Sequence, residues 1–462
     1  MILPGSCYPG IAAGMTALQL FYNPPTGLWN TTDWWNAANA LETTIDYSTI
    51  TNTKTYHSNI FNTFERHKRT NFLNPWFYDD DGWWALTWIK AYDLTGETRY
   101  LDMAKTIFND MKQGWDSTCN GGISWKKKER NYKNAITNEL FFSVAARLHL
   151  RTPGDKGPGS YLDWAQRTWD WFKNSGLINS SNLLNDGLND SCQNNGQTTW
   201  TYNQGVILGG LVDLYKSTND SSLLTQAELI ADAAIKTLAP KGILREPCEP
   251  SNCGADGIQF KGVFMRNLYY LYQTTNKQAY KDFIIQNANS IWSHSRNSAN
   301  QFGLDWAGPL DRADAARQSS AMDAINAAIG VGTKGITYQA ENSTLQGLST
   351  QAIDSGYHGT GYVAGWNRDE QRVSFNVNVA CSGKYNLVFR YAAAVGNASR
   401  YIYVGKSIVS NQLFPETGSW SRWNTVTVPD VWLDAGRNTV FVIFDSSKGS
   451  SNWLNLDEIT VR

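Results

Sequence analysis

The sequence predicts two domains, an all-α (α/α)6 barrel followed by an all-β jelly-roll β-sandwich. Three observations support this fold class. The chain has 462 residues, which is more than one hydrophobic core usually organises. Helical runs separated by turn signals fill the first part of the chain, and strand-like alternation begins after Ala327-Ala328. We therefore place the barrel at residues 1–328, a linker at 329–335 and the β-sandwich at 336–462.

The barrel prediction depends on the number and pairing of the helical runs. Short turns such as Thr95-Gly96-Glu97 join neighbouring runs, as in helical hairpins. Six hairpins closed into a ring make an (α/α)6 barrel, whereas an open α-solenoid usually has a fixed-period repeat that we do not find. Helices are predicted at residues 10–22, 33–49, 56–69, 83–94, 98–113, 131–150, 160–174, 203–217, 221–238, 257–274, 277–296 and 311–329.

The β-sandwich prediction depends on short alternating segments. Arg372–Val379 and Tyr385–Tyr391 alternate polar and apolar residues, and further strands are predicted at 425–428, 439–444 and 454–461. Short strands with regular turns are typical of a jelly roll. The Gly-rich segment 329–335 separates them from the helices and is predicted to be a linker.

Composition indicates the class of ligand. Lys and Arg number 40 and Asp and Glu 41, and this balance argues against nucleic acid or an anionic membrane as partner. The chain has 20 Trp and 22 Tyr, residues whose flat amphipathic rings stack on sugars. We expect a monomer that binds a neutral carbohydrate.

Cysteines and glycosylation sequons indicate a secreted protein. The six cysteines agree with an oxidising compartment, and Cys248 and Cys253 close a short loop that predicts a disulfide. Cys119 with Cys192 is a second candidate pair, and neither the cysteine spacings nor the scattered histidines fit a zinc site. N-glycosylation sequons begin at Asn30, Asn179, Asn189, Asn219, Asn342 and Asn397.

Targeting and anchoring signals are not evident. The sequence shows no secretory apolar region at its start, no stretch long enough to span a bilayer and no lipid-anchor signal at its end. We therefore expect a mature or trimmed secreted chain that does not engage a membrane.

The candidate chemistry is concentrated in the segment Tyr78-Asp79-Asp80-Asp81-Gly82-Trp83-Trp84, directly ahead of a predicted helix. Crowded, desolvated carboxyls have raised pKa values, so one acid can stay protonated near neutrality while another is anionic. Carboxyls about 5 Å apart suit a retaining glycosidase and about 6 Å or more an inverting one, and adjacent residues on a first helical turn can reach either distance. The alternative is helix capping, for which one Asp is enough.

Other polar residues lie near helix starts or in aromatic loops. The loops around Trp125 and Tyr202 carry the amides and rings that contact hexoses. Asn138 and Lys261 are candidate substrate-binding residues near helix starts, with capping or a surface ion pair as the alternative.

Residues 1 to about 328 resemble glycoside hydrolase family 76, the endo-α-1,6-mannanases. The resemblance rests on the Tyr78–Leu86 segment and on four later motifs in the expected order, Ala91–Gly96, Gly121–Trp125, Lys133–Glu139 and Thr201–Gly205. It implies an (α/α)6 barrel that needs no cofactor for catalysis. It also implies that Asp79 is the nucleophile and Asp80 the general acid/base. Asp81 stands at the family's variable position and is a candidate substrate contact, and Trp83, Trp125 and Tyr202 would line the cleft.

Residues 336–462 resemble carbohydrate-binding modules of families 6 and 35. The resemblance rests on the segments Tyr338–Asn342, Gly361–Val363, Arg390–Ala392, Thr417–Trp423, Ala435–Asn438 and Leu456–Ile459. It implies a structural calcium ion held by Gln339, Glu341 and Asp457, whose oxygens suit a hard cation. The sugar would bind at the loop end, where the candidates are Tyr362, Trp420, Asn452, Trp453 and Asn455.

These resemblances imply a secreted, retaining endo-α-1,6-mannanase that acts on the α-mannan backbone of fungal cell walls. One alternative keeps the site but transfers mannan or glycolipid-linked mannose to a wall polymer, as a transglycosidase. Another is a non-catalytic mannan-binding lectin, which the complete pair of carboxylates opposes.

Overall fold

The structure is a computed structural model that describes residues 9–333, 335–379 and 382–462. Cys7, Lys334 of the predicted linker and Cys381 lie outside these residues. The chain divides into a helical unit, Gly10–Val331, and a β unit that begins at Gly332 and ends at Arg462. The order of the two predicted domains is confirmed.

Twelve α-helices make up the described part of the helical unit, close to the predicted runs. Helices of even number are largely buried, and those of odd number cover them on the outside. Two short strands, β1 (Tyr22–Asn23) and β2 (Leu28–Trp29), pair between α1 and α2. The helices are α1 (Pro9–Gln19), α2 (Trp34–Thr51), α3 (His57–His67), α4 (Tyr78–Thr95), α5 (Thr98–Met111), α6 (Ala135–His149), α7 (Tyr161–Asn174), α8 (Thr201–Thr218), α9 (Ser221–Leu238), α10 (Phe260–Thr275), α11 (Gln278–His294) and α12 (Ala315–Thr333).

Hydrophobic spacing explains why the outer helices lie where they do. In α5 the buried residues include Tyr100, Leu101, Ala104 and Phe108, which recur every three or four positions and so share one face. The remaining face of α5 is polar and meets solvent. The same argument applies to α7 and α9, whose buried residues follow the same spacing.

Polar side chains close the ring of inner helices. Thr43 of α2 donates to Asp323 of α12 at 2.7 Å. Arg266 of α10 lies 3.1 Å from both Asp323 and Glu42 of α2. Because these groups are almost fully buried, the contacts also satisfy charges that could not remain unpaired in the barrel interior.

The predicted linker is wrong for most of its length. Helix α12 continues to Thr333, so residues 329–333 are helical. The glycines of this segment suggested flexibility, but Gly330 serves close packing, since a Cβ there would collide with the ring of Tyr269.

The β unit contains two antiparallel sheets, with strand orders β10-β9-β12-β7-β4 and β11-β8-β13-β6-β5, and β3 pairs with β13. The predicted strands are confirmed. The strands that were not predicted are β3, β4, β5, β6, β9 and β10. The strands are β3 (Ile336–Gln339), β4 (Thr344–Gln346), β5 (Ser349–Gln351), β6 (Tyr362–Ala364), β7 (Arg372–Val379), β8 (Gly383–Ala392), β9 (Ala398–Val404), β10 (Ser407–Phe414), β11 (Asn424–Leu433), β12 (Gly436–Ile443) and β13 (Asn455–Val461).

A single core lies between the two sheets of the β unit. Phe375 and Val377 on β7 and Leu387 and Phe389 on β8 are fully buried in it. Alternate residues of β7 and β8 face this core, as the sequence pattern predicts. The β unit is therefore a β-sandwich.

Two disulfides join loops of the helical unit, Cys248–Cys253 and Cys119–Cys192. Both pairings agree with the sequence prediction. Among the helices of the described ranges, none combines the length and the apolar character required to cross a bilayer.

Candidate functional site

The three adjacent aspartates occupy the first turn of α4. The helix begins at Tyr78, five residues before the predicted start, so Asp79, Asp80 and Asp81 are inside the helix rather than ahead of it. Carboxylates on a first turn interact favourably with the helix dipole and with backbone N–H groups that have no partner in the helix. Gly82 then allows close packing, because a Cβ there would lie only 2.7 Å from Leu140 of α6.

A cleft of about 720 Å³ opens above this turn. Aromatic rings and carboxylates form most of its wall, and no Lys, Arg or His is present among its described lining residues. The lining residues are Asp33, Trp34, Trp35, Asn74, Phe77, Asp79, Asp80, Trp83, Trp125, Tyr132, Asn134, Asp186, Trp200, Tyr202, Cys253, Asp256, Gly257 and Phe260.

Asp79 and Asp80 each accept one hydrogen bond from a side chain of the cleft. The indole Nε1 of Trp125 donates to Oδ2 of Asp79 at 3.0 Å, and Nδ2 of Asn74 donates to Oδ2 of Asp80 at 2.6 Å. Oδ1 of Asp79 is buried and has no hydrogen-bond partner within the protein. Asp79, which lines the cleft, thus has one oxygen that no side chain of the cleft occupies.

The electrostatics of the pair favour retention of a proton. Burial raises the pKa of Asp80 to about 7, with Asp256 and Asp33 adding to the effect and the Asn74 amide opposing it. Burial and the neighbouring Asp80 carboxylate raise the pKa of Asp79 as well. Two interacting acids titrate as a pair, and with both pKa values raised the pair holds a proton near neutrality. An acid and a carboxylate acceptor are therefore available together.

Asp81 does not lie in the cleft, contrary to its prediction as a substrate contact. Its side chain is fully buried. Oδ1 accepts from the backbone N–H of Asn74 at 2.6 Å, and Oδ2 lies 2.7 Å from Nζ of Lys127. The third position of the turn points away from the cleft, because successive helical residues are rotated by about 100°.

The predictions of Asn138 and Lys261 as substrate contacts are also wrong. Asn138 is fully buried and uses its amide on the backbone N–H and carbonyl of Ile123 at 2.7 and 2.9 Å, so it fixes the loop before Trp125. Lys261 is 1% exposed. Its ammonium donates to the carbonyl of Leu304 at 2.6 Å and pairs with Glu249 at 2.5 Å. Neither side chain lines the cleft.

Trp83, Trp125 and Tyr202 line the cleft as the resemblance implied. Trp125 stacks on Phe77 with ring centroids 4.8 Å apart. The ring centroids of Trp83 and Trp35 lie 5.5 Å apart. These packed rings form rigid walls because their orientation is fixed by neighbouring rings on two elements.

Several cleft residues escaped the sequence analysis. Asp186 lies in the loop before α8, where it accepts hydrogen bonds from the hydroxyl of Tyr132 and from Trp200. Asp256, just past the Cys248–Cys253 loop, accepts from Nε1 of Trp35 at 2.8 Å. Only the Asn/Asp-rich composition of these loops signalled a polar role, and it did not indicate which residue faces the cleft.

The sugar-site candidates of the β unit divide into exposed and buried residues. Trp453 is 47% exposed, Asn452 is exposed and Trp420 is half-buried. Tyr362 is fully buried and donates its hydroxyl to Asp354 at 2.6 Å, so its prediction as a stacking surface is wrong. Asn455 is buried and bonds the same carboxylate at 3.3 Å, which makes it a packing residue.

Two of the three predicted metal ligands come together. The buried atoms Oε1 of Gln339 and Oε2 of Glu341 have no hydrogen-bond partner. A Cβ added at Gly359 would lie 2.8 Å from Oε1 of Gln339 and collide with Glu341, so both side chains border the same small space. Asp457 is fully buried, but its carboxylate is occupied by Arg390 and by the backbone N–H of His358.

Comparison with known proteins agrees with this division of the chain. Residues 13–340 match the model of glycosyl hydrolase family 76, and residues 336–462 match carbohydrate binding module family 35. Mannan endo-1,6-alpha-mannosidase DCW1 of Eremothecium gossypii is 30% identical over 261 residues, which are 51% of this chain and 57% of that protein. DCW1 of Candida albicans is likewise 30% identical, over 266 residues. The chain therefore matches little more than half the length of these relatives.

Solved structures share the fold of the helical unit. An inactive variant of the α-1,6-mannanase GH76A of Salegentibacter sp. HEL1_6, bound to α-1,6-mannotriose, superposes with a TM-score of 0.62 at 23% identity. This superposition covers 70% of this chain and 98% of that one. Dfg5 of Chaetomium thermophilum in complex with glucosamine gives a TM-score of 0.61 at 21% identity, over 70% and 90% of the two chains. The barrel fold is thus confirmed, and because the family model matches most of its length, the chain belongs to glycosyl hydrolase family 76.

Proposed function

We propose that the protein is a secreted, retaining endo-α-1,6-mannosidase that hydrolyses the backbone of α-mannan. The observation that carries the proposal is the Asp79–Asp80 pair, which shares raised pKa values at the base of a cleft walled by aromatic rings. The α-1,6-mannanase with the same fold was made inactive by replacing two consecutive aspartates, which supports the assignment of this pair.

In the proposed reaction Asp79 attacks the anomeric carbon while Asp80 gives its proton to the glycosidic oxygen. The C–O bond breaks, the shortened chain leaves as an alcohol, and a covalent mannosyl-enzyme remains. Asp80, now anionic, removes a proton from water while the water oxygen attacks the anomeric carbon. The bond between that carbon and Asp79 breaks, and Asp79 is released as a carboxylate. Both acids return to their starting protonation states.

The cleft walls supply the sugar contacts. Trp83, Trp125 and Tyr202 offer ring surfaces to the apolar faces of hexoses, and Asp186 offers a carboxylate to their hydroxyl groups. With five aspartates and no described basic residue in the lining, the cleft suits an uncharged chain. The bound α-1,6-mannotriose of the similar mannanase is such a chain.

Digestion of linear α-1,6-mannan, followed by analysis of product length, tests this function. We expect shorter mannan oligosaccharides. Products longer than the substrate would instead show a transglycosidase that uses a sugar acceptor in place of water. Unchanged mannan would show a binding protein without turnover.

The pKa of Asp80 sets the expected pH dependence. The active pair needs one proton, and with a pKa of about 7 for Asp80 that proton is lost as the pH rises above neutrality. We expect kcat/KM to fall by about tenfold per pH unit on the alkaline side, with the limb centred near pH 7. A kcat/KM that stays constant from about pH 6 to about pH 9 would contradict the assignment.

We further propose that the β unit binds polysaccharide through Trp420, Asn452 and Trp453, the candidates that remain accessible. A carbohydrate module tethered to the barrel raises the local concentration of an insoluble substrate. The exposed indole of Trp453 is compatible with this role, since it leaves a flat ring face free to stack on a sugar.

A structural calcium ion fits the residues around Gln339 and Glu341. Their buried oxygens without partners match the all-oxygen ligation that Ca²⁺ prefers, while Asp457 would have to exchange Arg390 for the cation. A bound ion would link β3 to the β13 end of the sandwich, which lie side by side.

Removal of calcium should therefore destabilise the β unit. We expect a chelator to lower its melting transition in calorimetry of the full chain, and added Ca²⁺ to restore it, because a cation that binds only the folded state stabilises it. Glu341→Gln should abolish the response, whereas Glu416→Gln, at an exposed acid, should leave it intact. A transition that ignores chelator in every variant would rule out the metal.

Secretion is supported by the two disulfides and by the sequons. The asparagines at 30, 189, 219, 342 and 397 are exposed. Asn179 is half-buried and uses its Nδ2 on Asn185 at 2.8 Å, so it is the least suited to carry a glycan.

A further inference from the structure

Asn74 makes four hydrogen bonds at the edge of the cleft. Its Nδ2 donates to Oδ2 of Asp80 at 2.6 Å. Its Oδ1 accepts from the backbone N–H groups of Trp76 and Phe77 at 2.7 and 3.1 Å, and its own N–H donates to Asp81 at 2.6 Å. The side chain is therefore fixed by the turn that leads into α4 and presents one N–H donor to Asp80.

The backbone of Asn74 is bonded to a buried ion pair, that of Asp81 with Lys127. Asp81 is fully buried, and its second oxygen lies 2.7 Å from Nζ of Lys127. Lys127 also pairs with Asp110 at 2.7 Å, and its backbone N–H donates to the carbonyl of Trp76 at 2.9 Å. A continuous series of contacts thus runs from Asp110 through Lys127, Asp81 and Asn74 to Asp80.

We propose that Asn74 is the positioning residue of the general acid/base Asp80, and that Asp81 acts through Asn74 by fixing its backbone. The assignment of Asp80 rests on the proposed function. In this view the third aspartate of the turn neither contacts substrate nor serves only as a helix cap. It anchors the amide that orients the reacting carboxyl, and orientation of this kind can account for large rate effects.

The charges around Asp80 explain why a donor is needed there. Asp79 precedes it on α4, and Asp33 and Asp256 face it from the segments before α2 and α10 and raise its pKa. Lys127 and the Asn74 amide oppose that rise. The amide is the group in direct contact, so its loss would both free the carboxyl to rotate and favour its protonated form.

Asn74→Ser removes the donor without adding a charge beside Asp80. The hydroxyl oxygen can still accept from Trp76 or Phe77, as in an ST turn, and the backbone N–H that binds Asp81 is kept, but the side chain is too short to reach Asp80. We expect kcat on linear α-1,6-mannan to fall by at least about tenfold and the alkaline limb of the pH profile to move up by about one unit. Equal kcat and an unmoved limb would overturn the proposal.

Asn297→Ser is the matched control. Asn297 accepts from two backbone N–H groups, those of Ala299 and Gln301, at 3.0 Å and does not line the cleft. It should leave both kcat and the pH profile unchanged. In the same comparison, Asp81→Asn, which keeps an oxygen for the Asn74 N–H, should restore much of the activity that Asp81→Ala loses.

A measurement without substrate separates this inference from the proposed function. The pKa of Asp80, followed through its carboxyl carbon by NMR, should rise in Asn74→Ser even if the wild-type chain fails to cleave mannan. An unchanged pKa together with a lower melting temperature would show that Asn74 only supports the loop, and would overturn its positioning role.

Discussion

Replacement of Asp79 or Asp80 by Asn is expected to lower kcat on linear α-1,6-mannan by about 10² to 10⁴ or more. Asn has nearly the same shape as Asp, so α4 should keep its position, but it can neither attack the anomeric carbon as a carboxylate nor transfer a proton. Single-turnover assays would show which step is lost. Loss of Asp79 should prevent accumulation of the mannosyl-enzyme, and loss of Asp80 should affect substrates with poor leaving groups most.

Asp81→Asn tests the register of this pair. Asp81 is buried behind the cleft, where Asn74 and Lys127 occupy its oxygens, so its replacement should cost much less activity than either neighbour. A loss as large as that of Asp80→Asn would show that the reacting pair had been assigned one residue too early.

Arg266→Met is expected to lower the free energy of unfolding of the helical unit by about 3–5 kcal/mol. The guanidinium lies 3.1 Å from both Glu42 and Asp323, and all three side chains are at most 5% exposed. Without Arg266 two acids remain in the barrel interior with less compensation, and the pKa of Glu42, now lowered to about 2 by Arg266 and Lys90, should rise. Urea denaturation followed by far-UV circular dichroism at the helix band measures the change.

Arg167→Met provides the comparison for this stability experiment. Arg167 pairs with Asp163 at 3.4 Å on the exposed face of α7, where an ion pair contributes about 0–1 kcal/mol. The two variants remove the same charge at different depths. Similar losses in both would show that burial does not determine the value of the Arg266 contacts.

Periodicity explains why the helical architecture could be predicted from the sequence. Every predicted helix corresponds to one in the structure, because hydrophobic spacing and turn residues are local signals. The strand β10 (Ser407–Phe414) was missed because it is an edge strand in which polar and apolar residues do not alternate cleanly. Position at a sheet edge is a tertiary property that the local pattern does not record.

The location of Asp79, Asp80 and the aromatic walls in the cleft agrees with the sequence prediction, whereas Asn138, Lys261 and Asp81 were assigned to the wrong surroundings. Asp81 and Lys261 each directly follow a cleft residue, and one step of about 100° along the helix directs their side chains into the protein. Asn138 lies a full turn after Asn134 and bonds the backbone of Ile123 instead of facing the cleft. Asp186 and Asp256 were missed for the opposite reason. They reach the cleft from irregular loops, whose paths depend on contacts with Tyr132 and Trp35 that sequence distance conceals.

The contact between Thr43 and Asp323 has a consequence for how the protein is made. The two residues are 280 positions apart, so the ring cannot close until α12 has been synthesised, long after α2. While the chain is still on the ribosome, the emerging helices can pair with their neighbours, but Glu42 has no Arg266 and the open edge of the ring exposes apolar surface. Domains usually fold as units during synthesis. For this barrel, the core can be completed only after the last helix has left the exit tunnel, and until then the nascent chain exposes apolar surface that can associate with other chains.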